Sequence, residues 1–355
     1  MTTPVAEAAA ITAAAASGPF RHGLVLGKFY PPHAGHHFLI DRAAAQCDRL
    51  TVLVAGATVE TIPLALRHRW LAERHPYARV ISVRDDVLID MNDPEIWDAH
   101  IEIWRRAVGE PVDAVFSSEA YGPELARRMD AASVLVDPDR IVYPVSGTAV
   151  RADPAAHWHM LSPAVRAYLT RRVVICGAES TGTSTLSRAL AAHYATEWVR
   201  EYGREHTYRK QQDGTVDHWT EEDFVVIAAR QQLLEDLAAR TASPVLICDT
   251  DAIATCLFEE LYLGAADATT RQLALQRTPA LYVLTSHEGV PFDDDGTRLF
   301  EHRRAWMTDR FRQTLAAQPA PWIEVRGTHQ QRMLQVKAAI DTILTDGWHF
   351  AAPLG

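Results

Sequence analysis

Short apolar runs alternate with longer amphipathic segments along most of this chain. The first series of apolar runs is GLVLG, LTVLVAG, RVISV, DAVFSS and SVLVD, and segments with helical periodicity separate them. Runs rich in valine and leucine that alternate with helices are typical of parallel strands covered by helices. The pattern therefore predicts an α/β fold with a parallel sheet in the first half of the chain.

The alternation pauses at residues 152–170, where ADPAAHWHMLSPAVRAYLT carries no strand signal. The run RRVVICG then starts a second series, which continues with PVLICDTD, ALYVLTS and WIEVRG. We therefore predict two α/β domains, at residues 21–168 and 169–355. An alanine-rich segment at residues 1–20 precedes them, and we interpret it as a disordered tail.

Composition narrows the class of protein. A formal net charge of -10 argues against a general basic surface that wraps duplex DNA. The tail lacks the features of a secretory signal, and no apolar run approaches the roughly 18 residues that cross a bilayer. We expect a cytoplasmic protein without membrane contact. The sequence does not decide the oligomeric state, and a homo-oligomer is compatible with it. The cysteines occur singly, which supports neither a disulfide framework nor a zinc ribbon: Cys47, Cys176, Cys248 and Cys256.

The segment GKFYPPHAGHH, residues 27–37, stands between the first strand and the first helix. Sheets of this class bind phosphates there, because a helix start offers free N–H groups and glycine lets the backbone approach a ligand. Imidazoles can donate to phosphate oxygens, and lysine adds positive charge. The alternatives for the histidines are plain helix-start residues or a metal site, for which a third ligand is missing. The candidate ATP ligands are Gly27, Lys28, Phe29, His33, Gly35 and His36.

The hexapeptide SGTAVR, residues 146–151, follows the last strand of the first series. Hydroxyls at a helix start, with an arginine one turn later, can hold the β- and γ-phosphates of ATP, although an N-cap with a surface arginine would look the same. The candidate ligands are Ser146, Gly147, Thr148 and Arg151. Together the two segments resemble the G-x-F-x-P-x-H-x-G-H and S-x-T-x-x-R signatures of the nucleotidylyltransferase superfamily.

This resemblance implies that an acceptor phosphate attacks the α-phosphorus of ATP and releases pyrophosphate. The attacking oxygen is already anionic, so catalysis needs positioning and charge neutralisation rather than a general base. A magnesium ion, Mg²⁺, would share that role with Lys28, His33, His36 and Arg151. Trp97 and Trp104, two helical turns apart, are candidates for stacking on a base, or else core residues.

The segment GAESTGTST, residues 177–185, follows the strand RVVIC and opens a helix, as a P-loop does. Its backbone N–H groups would cradle the β-phosphate, and Ser184 would bind Mg²⁺. Thr183 stands where the motif carries lysine, so the usual charge on the β/γ-phosphates is missing. The candidate ATP ligands of this loop are Gly177, Glu179, Ser180, Thr181, Gly182, Thr183, Ser184 and Thr185.

Three segments after the P-loop carry further candidates. The strand VLICDTD ends in acids, so Asp249 is a candidate for the Mg²⁺ shell or for accepting the substrate proton. The stretch DDDGTR at residues 293–298 predicts a mobile lid whose Arg298, together with Arg303, covers the phosphates, or else a solvated loop. The substrate-binding candidates of the second domain are Glu201, Tyr202, Arg204 and Asp251.

The chain is similar to NadR-type bifunctional proteins from about residue 23 onward. The resemblance rests on the nucleotidylyltransferase signatures, the P-loop that follows them, and three segments after the P-loop: WVREYGRE, CDTDAIAT and DDGTR. The resemblance implies a nucleotidylyltransferase-type Rossmann-like domain followed by a P-loop kinase-type domain. It implies adenylyl transfer to nicotinamide mononucleotide in the first, phosphorylation of nicotinamide riboside in the second, and ATP and Mg²⁺ in both. It does not imply DNA binding. Thr183 leaves an alternative in which the P-loop domain only senses ATP or NAD. A purely regulatory protein would not need the complete first motif set.

Overall fold

The computed structural model describes residues 18–90, 92–293 and 300–354. Within these ranges the chain divides into two compact units, one formed by residues 18–165 with 348–354 and the other by residues 166–347. The last described residues therefore belong to the first unit, although they follow the second unit in sequence. Of the segment interpreted as a tail, residues 1–17 lie outside the described residues.

The first unit is built on a parallel sheet. Its strands are β1 (Phe20–Gly27), β2 (Cys47–Gly56), β3 (Arg79–Arg84), β4 (Ala114–Ser117) and β5 (Ala132–Leu135). Its helices are α1 (Ala34–Ala44), α2 (Leu64–Arg74), α3 (Pro94–Val108), α4 (Gly122–Met129) and α5 (Gly147–Ala152), and α6 (Pro163–Leu169) spans the division. The order is β3-β2-β1-β4-β5, and Val25 of β1 is paired with both Val52 and Phe116.

Helices cover both faces of this sheet. Val25 packs in one cluster with Leu39 and Ile40 of α1, whereas the neighbouring Leu24 packs in another with Trp97 and Trp104 of α3. Successive side chains of a strand point to opposite faces, so a strand buried on both faces is apolar at every position. This is why the first strand reads as a continuous apolar run.

The second unit is also built on a parallel sheet. Its strands are β6 (Arg171–Gly177), β7 (Trp198–Val199), β8 (Val245–Asp249), β9 (Leu281–Thr285) and β10 (Trp322–Val325), in the order β10-β9-β6-β8-β7. Its helices are α7 (Thr183–His193), α8 (Tyr202–Gln212), α9 (Glu221–Ala239), α10 (Ala252–Leu263), α11 (Ala268–Leu275), α12 (Arg304–Ala316) and α13 (His329–Asp346). None of the helices in the described ranges is long and apolar enough to cross a membrane.

Local signals explain why most helices were predictable. The Asp93 side chain accepts from the backbone of Glu95 at the start of α3, and Gly109 adopts a left-handed conformation at its end. The helix α8 was not predicted, because Tyr202 is its only buried residue and no apolar stripe marks it. The helices α6, α10 and α11 were missed as well.

Each sheet has a switch point, at which the strand order continues on one side of the first strand and then on its other side. The first strand of each unit is central, with β1 between β2 and β4 and β6 between β8 and β9. Open α/β sheets bind ligands beyond the carboxyl ends of the strands at such a switch point. The two predicted phosphate-binding segments follow β1 and β6 and therefore lie at these two points.

Candidate active sites

A pocket of the first unit lies at the carboxyl end of β1 and joins both predicted motifs. Eight predicted residues line it: Gly27, Lys28, Phe29, His36, Ser146, Gly147, Thr148 and Arg151. His33 and Gly35 do not belong to the lining, and the ring of His33 packs beside Gly35. Trp97 is 4 % exposed and lies in the core, whereas Trp104 lines the pocket. The structure therefore places Trp97, our substrate-binding candidate, away from this pocket.

His36 is held in one tautomer by its neighbour. The backbone N–H of His33 donates to Nδ1 of His36 at 3.3 Å, and the two rings stack with centroids 3.7 Å apart. Burial and the other histidines hold the pKa of His33 at about 3 and that of His36 well below its usual value. The neutral ring of His36, with Nδ1 accepting, carries its proton on Nε2. His36 can therefore donate to a phosphate oxygen without being charged.

Two cations flank the loop that follows β1. Arg151 donates to the carbonyl of Tyr30 at 2.8 Å and to the hydroxyl of Thr148 at 3.2 Å. Lys28 Nζ lies 3.8 Å from Glu60, and burial lowers the pKa of Lys28 although Glu60 opposes that shift.

Beneath the loop, Arg67 pairs with Glu60 at 2.7 Å. This buried pair was not predicted from the sequence, because nothing in the sequence places the two side chains together.

Ser146 has a structural role as well as a place in the pocket wall. Its Oγ accepts from the backbone of Ala149 at 3.1 Å and caps α5. The second motif thus supplies an N-cap, as the alternative interpretation expected, and also brings Arg151 to the pocket. The two interpretations of this hexapeptide are compatible.

The pocket wall also contains polar and C-terminal residues that were not predicted from the sequence. Asp85 and His100 line the pocket next to Trp104, and Leu354 closes part of it from the C-terminal segment. Arg140 also contributes to the lining. Asp85, His100 and Leu354 lie far from both motifs in sequence, and Arg140 precedes the second motif without belonging to it, so no local pattern identifies them.

A pocket of the second unit is formed around the loop after β6. Ten predicted residues line it: Gly177, Glu179, Ser180, Gly182, Thr183, Ser184, Thr185, Glu201, Arg204 and Asp249. Thr181 and Tyr202 are buried outside the lining, and the half-buried Asp251 does not belong to it either. Arg303 packs on the ring of Trp306. Arg298 lies outside the described residues.

The loop has the backbone of a P-loop in spite of its substitution. A Cβ at Gly177 would collide with the hydroxyl of Thr285, and Gly182 adopts φ of 86°, which favours glycine. The Thr181 hydroxyl bonds to Thr285 at 2.7 Å instead of facing the pocket. Arg332 donates to the carbonyl of Thr181 at 2.7 Å from α13. These contacts hold the loop conformation without the usual lysine.

Oxygen ligands meet where magnesium is expected. The hydroxyls of Ser184 and Thr183 lie beside the carboxylate of Asp249, which is 2 % exposed, and favour its ionised form. Burial, with the charge of Glu201, raises the pKa of Asp249 to about 7. A hydroxyl and a carboxylate are the hard oxygen ligands that Mg²⁺ prefers, so Ser184 and Asp249 fit this ion.

Aromatic side chains form one wall of the second pocket: Trp219, Phe224, Phe258 and Tyr262. The rings of Trp219 and Tyr262 lie 4.9 Å apart, and those of Phe224 and Tyr262 lie 5.8 Å apart. An aromatic wall beside Glu201 and Arg204 suits a nucleoside, whose base is aromatic and whose sugar carries hydroxyls. These aromatic residues come from α9, α10 and the loop before α9, and the sequence did not single them out.

Comparisons with known proteins show what this chain is similar to. The AAA domain family matches residues 172–332. The NadR protein of Salmonella typhimurium, described as a trifunctional NAD biosynthesis and regulator protein, is 28% identical over 294 residues, which are 78% of this chain and 71% of that protein. NadR of Escherichia coli, described in the same words, is 29% identical over 295 residues with the same shares of both chains.

Solved structures extend the comparison to the whole fold. A crystal structure of NadR in complex with NR matches with a TM-score of 0.73 at 20% identity, over 95% of this chain and 99% of that chain. The resemblance to NadR-type proteins is confirmed. A NadR structure with NAD and AMP-PNP matches with a TM-score of 0.71 at 19% identity over the same shares. The α/β fold with two successive domains, each built on a parallel sheet, is thus confirmed for this chain.

Proposed function

We propose that the first unit transfers the adenylyl group of ATP to nicotinamide mononucleotide and produces NAD and pyrophosphate. The observation that carries this proposal is the meeting of Lys28, His36 and Arg151, from two separate motifs, at one pocket. The names of the NadR relatives, which refer to NAD biosynthesis, support the choice of acceptor.

The residues fit an in-line displacement. An oxygen of the acceptor phosphate forms a bond to the α-phosphorus, and the bond to the pyrophosphate oxygen breaks with its electron pair. No proton has to move, since the attacking oxygen is already ionised. His36 donates Nε2–H, and Lys28 and Arg151 neutralise charge on the phosphate oxygens, which is greatest at the transition state. When bound, Mg²⁺ neutralises further phosphate charge.

For the second unit we propose phosphorylation of nicotinamide riboside. The preserved loop backbone, the oxygen ligands Ser184 and Asp249 and the aromatic wall favour a working nucleoside kinase. One of the similar NadR structures is a complex with NR, which supports this substrate. Thr183 favours the alternative, in which this unit binds ATP as a sensor. Asp249 would hold Mg²⁺, and accepting the hydroxyl proton is its alternative role.

The direct test supplies each acceptor separately. The full chain is incubated with ATP, Mg²⁺ and either nicotinamide mononucleotide or nicotinamide riboside, and products are identified by mass. We expect NAD from the mononucleotide, and mononucleotide followed by NAD from the riboside. Phosphopantetheine serves as a control acceptor, because related nucleotidylyltransferases act on it. Adenylyl transfer to phosphopantetheine but not to the mononucleotide would contradict the proposed function.

A further inference from the structure

The side chain of Lys28 meets a buried ion pair behind the wall of the first pocket. This pair consists of Glu60, in the loop between β2 and α2, and Arg67 of α2. Glu60 is 7 % exposed, and Arg67 is fully buried. Neither residue belongs to the pocket lining, whereas Lys28 does. The proposed adenylyl transfer assigns no role to this pair, although the pair lies against one of the cations that the transfer uses.

The pair contacts Lys28 at both ends of the residue. Nη1 of Arg67 donates to the backbone carbonyl of Lys28 at 2.7 Å, and Oε1 of Glu60 lies 3.8 Å from Nζ of Lys28. The same Nζ donates to the carbonyl of Leu354, which belongs to the pocket lining. The buried pair therefore contacts both the backbone and the ammonium group of Lys28.

The carboxylate of Glu60 is itself fixed in place. Its Oε2 accepts from the backbone of Ala57 at 3.1 Å and pairs with Nη2 of Arg67 at 2.7 Å. A Cβ at Gly56 would collide with the guanidinium of Arg67, so the backbone packs closely against the pair. Oε1 of Glu60 has no hydrogen bond to any described residue, and Lys28 is its ion-pair partner. Glu60 thus has one oxygen held by the fold and one beside Lys28.

The charges around Lys28 show what the pair does for this ammonium group. Burial lowers the pKa of Lys28, and Glu60 is the strongest charge that opposes this shift. Asp85 also opposes the shift, while Arg151 and Arg67 lower the pKa further. An opposite charge within about 4–6 Å favours the charged form of a titrating group. Because Arg67 neutralises Glu60, the carboxylate supports the ammonium without adding net negative charge near the phosphates.

We propose that Glu60, held by Arg67, is a positioning residue for adenylyl transfer, which keeps the Lys28 ammonium charged and at the edge of the pocket. This inference rests on the proposed function and deepens it, because it assigns the control of one proposed phosphate ligand. Lys28 neutralises phosphate oxygens only when it is protonated, and a partly buried ammonium without a counterion loses its proton more readily. Glu60 acts through Lys28, since it is not part of the pocket wall.

Lysine is rare enough in this chain for a direct titration. The sequence contains three lysines, Lys28, Lys210 and Lys337, so ¹³C labelling of the lysine side chains gives three NMR signals. Lys28→Arg identifies the signal of Lys28. We expect Glu60→Gln to lower the titration midpoint of that signal by about 1 pH unit or more, and to leave the other two unchanged. An unshifted Lys28 signal would overturn the proposal, whether or not the chain transfers adenylyl groups.

The kinetic test follows kcat and KM for adenylyl transfer against pH. Lys28 acts on charge that is greatest at the transition state, so its deprotonation should lower kcat more than it raises KM for ATP. In Glu60→Gln we expect kcat to start falling about 1 pH unit lower than in the parent, whereas Glu60→Asp, which keeps the charge, should stay closer to the parent. A guanidinium stays charged throughout this range, so Glu60→Gln should not shift the pH profile of Lys28→Arg.

Arg67→Gln tests the same charges with the opposite sign. It removes a cation that lowers the pKa of Lys28, so the titration midpoint of Lys28 should move to higher pH. Misfolding does not produce shifts of opposite direction in the two variants. This variant also carries the test if circular dichroism shows that Glu60→Gln does not fold, and an unmoved midpoint would then count against the proposal.

Glu110→Gln is the matched control, because Glu110 also pairs with two cations, Arg49 at 2.8 Å and Arg79 at 3.1 Å, but lies outside the pocket lining. It should leave the Lys28 signal and the pH profile unchanged. A pH profile that neither Glu60→Gln nor Arg67→Gln moves would overturn the positioning role and leave adenylyl transfer intact. A parent chain that transfers no adenylyl group would overturn the proposed function and, with it, the positioning role.

Discussion

The ammonium group of Lys28 donates to the backbone carbonyl of Leu354 at 3.1 Å, and so joins the loop after β1 to the C-terminal segment. Two further bonds tie the same segment down: Tyr30 donates its hydroxyl to the carbonyl of Ala351 at 3.2 Å, and the backbone of Ala351 donates to Thr61 at 2.7 Å. Residues 348–354 therefore belong to the first unit although they follow the last helix of the second, and Leu354 lines the first unit's pocket.

Removal of this segment should impair the first unit. A chain that ends at Gly347 loses the contacts on Tyr30 and part of the pocket wall, so we expect a lower melting temperature and a kcat/KM for adenylyl transfer reduced about 10-fold. The measurements are thermal unfolding and steady-state transfer. Removal of Gly355 alone is the control and should change neither. Unaltered transfer in the shorter chain would show that the segment is dispensable.

A still shorter chain tests whether the first domain is active without the second. A chain that ends at Tyr168 keeps the whole first sheet and both motifs, so we expect it to transfer adenylyl groups and to lose any kinase activity. It lacks residues 348–354, and its proper reference is therefore the chain that ends at Gly347. Equal transferase activity in these two chains is expected, and an inactive shorter chain beside an active longer one would contradict independence.

The two stacked histidines should differ in their effect on transfer. His36→Ala removes the Nε2–H donor from the pocket, and we expect turnover to fall about 10²-fold or more with the fold intact. His33→Ala keeps the backbone N–H that fixes the neighbouring ring, so its loss should be smaller. Turnover by each variant and its circular dichroism spectrum are the measurements. Near-normal turnover in His36→Ala would remove this ring from catalysis.

Stability should depend on pH through buried neutral histidines. His37 packs against His75, and burial with that neighbour lowers the pKa of His37 to about 3, as for His33. In the unfolded chain these rings bind protons below about 6.5, so between about 6.5 and 3 the unfolded state binds more protons. The free energy of unfolding should therefore fall as the pH drops through this window, by roughly 1 kcal/mol per pH unit per ring.

The check is urea unfolding at pH 7.5 and pH 5 in the parent and in His37→Gln. The variant has one fewer buried ring to protonate, so its stability should depend less on pH. His157→Gln, at a half-buried ring of the same unit, is the matched control and should follow the parent. Identical pH dependence in all chains would show that His37 is not held neutral by the fold.

Thr183 decides between a kinase and a sensor in the second unit. Its hydroxyl lies beside the carboxylate of Asp249 but supplies no charge to the β/γ-phosphates. If the unit is a kinase limited by that missing charge, Thr183→Lys should raise riboside phosphorylation, whereas Thr183→Ser, which keeps the hydroxyl, should not. Arg298→Ala should lower kcat with little change in KM for ATP if this arginine arrives on closure. No product from the parent at millimolar riboside, with ATP still bound, would support the sensor.

The sequence by itself determined the two α/β sheets and the position of the two segments that we predict to bind phosphate. Strands buried on both faces must be apolar throughout, as in VVIC of β6, and these runs are readable without a structure. The phosphate-binding segments follow directly after a strand, so their place at the sheet edge is a local property. For the same reason Lys28, His36, Arg151 and Asp249 could be named as candidates from their motifs.

Only the tertiary structure decided which of two similar residues faces a pocket. Trp97 and Trp104 lie on the same helix with nearly equal burial, but Trp104 alone donates to Asp85 and lines the pocket, while Trp97 packs into the core beneath Arg128. That difference depends on how α3 is rotated against the loop after β3. Asp85, His100 and Leu354 belong to no common motif, because the contacts that unite them are made between distant segments only when the sheet is assembled.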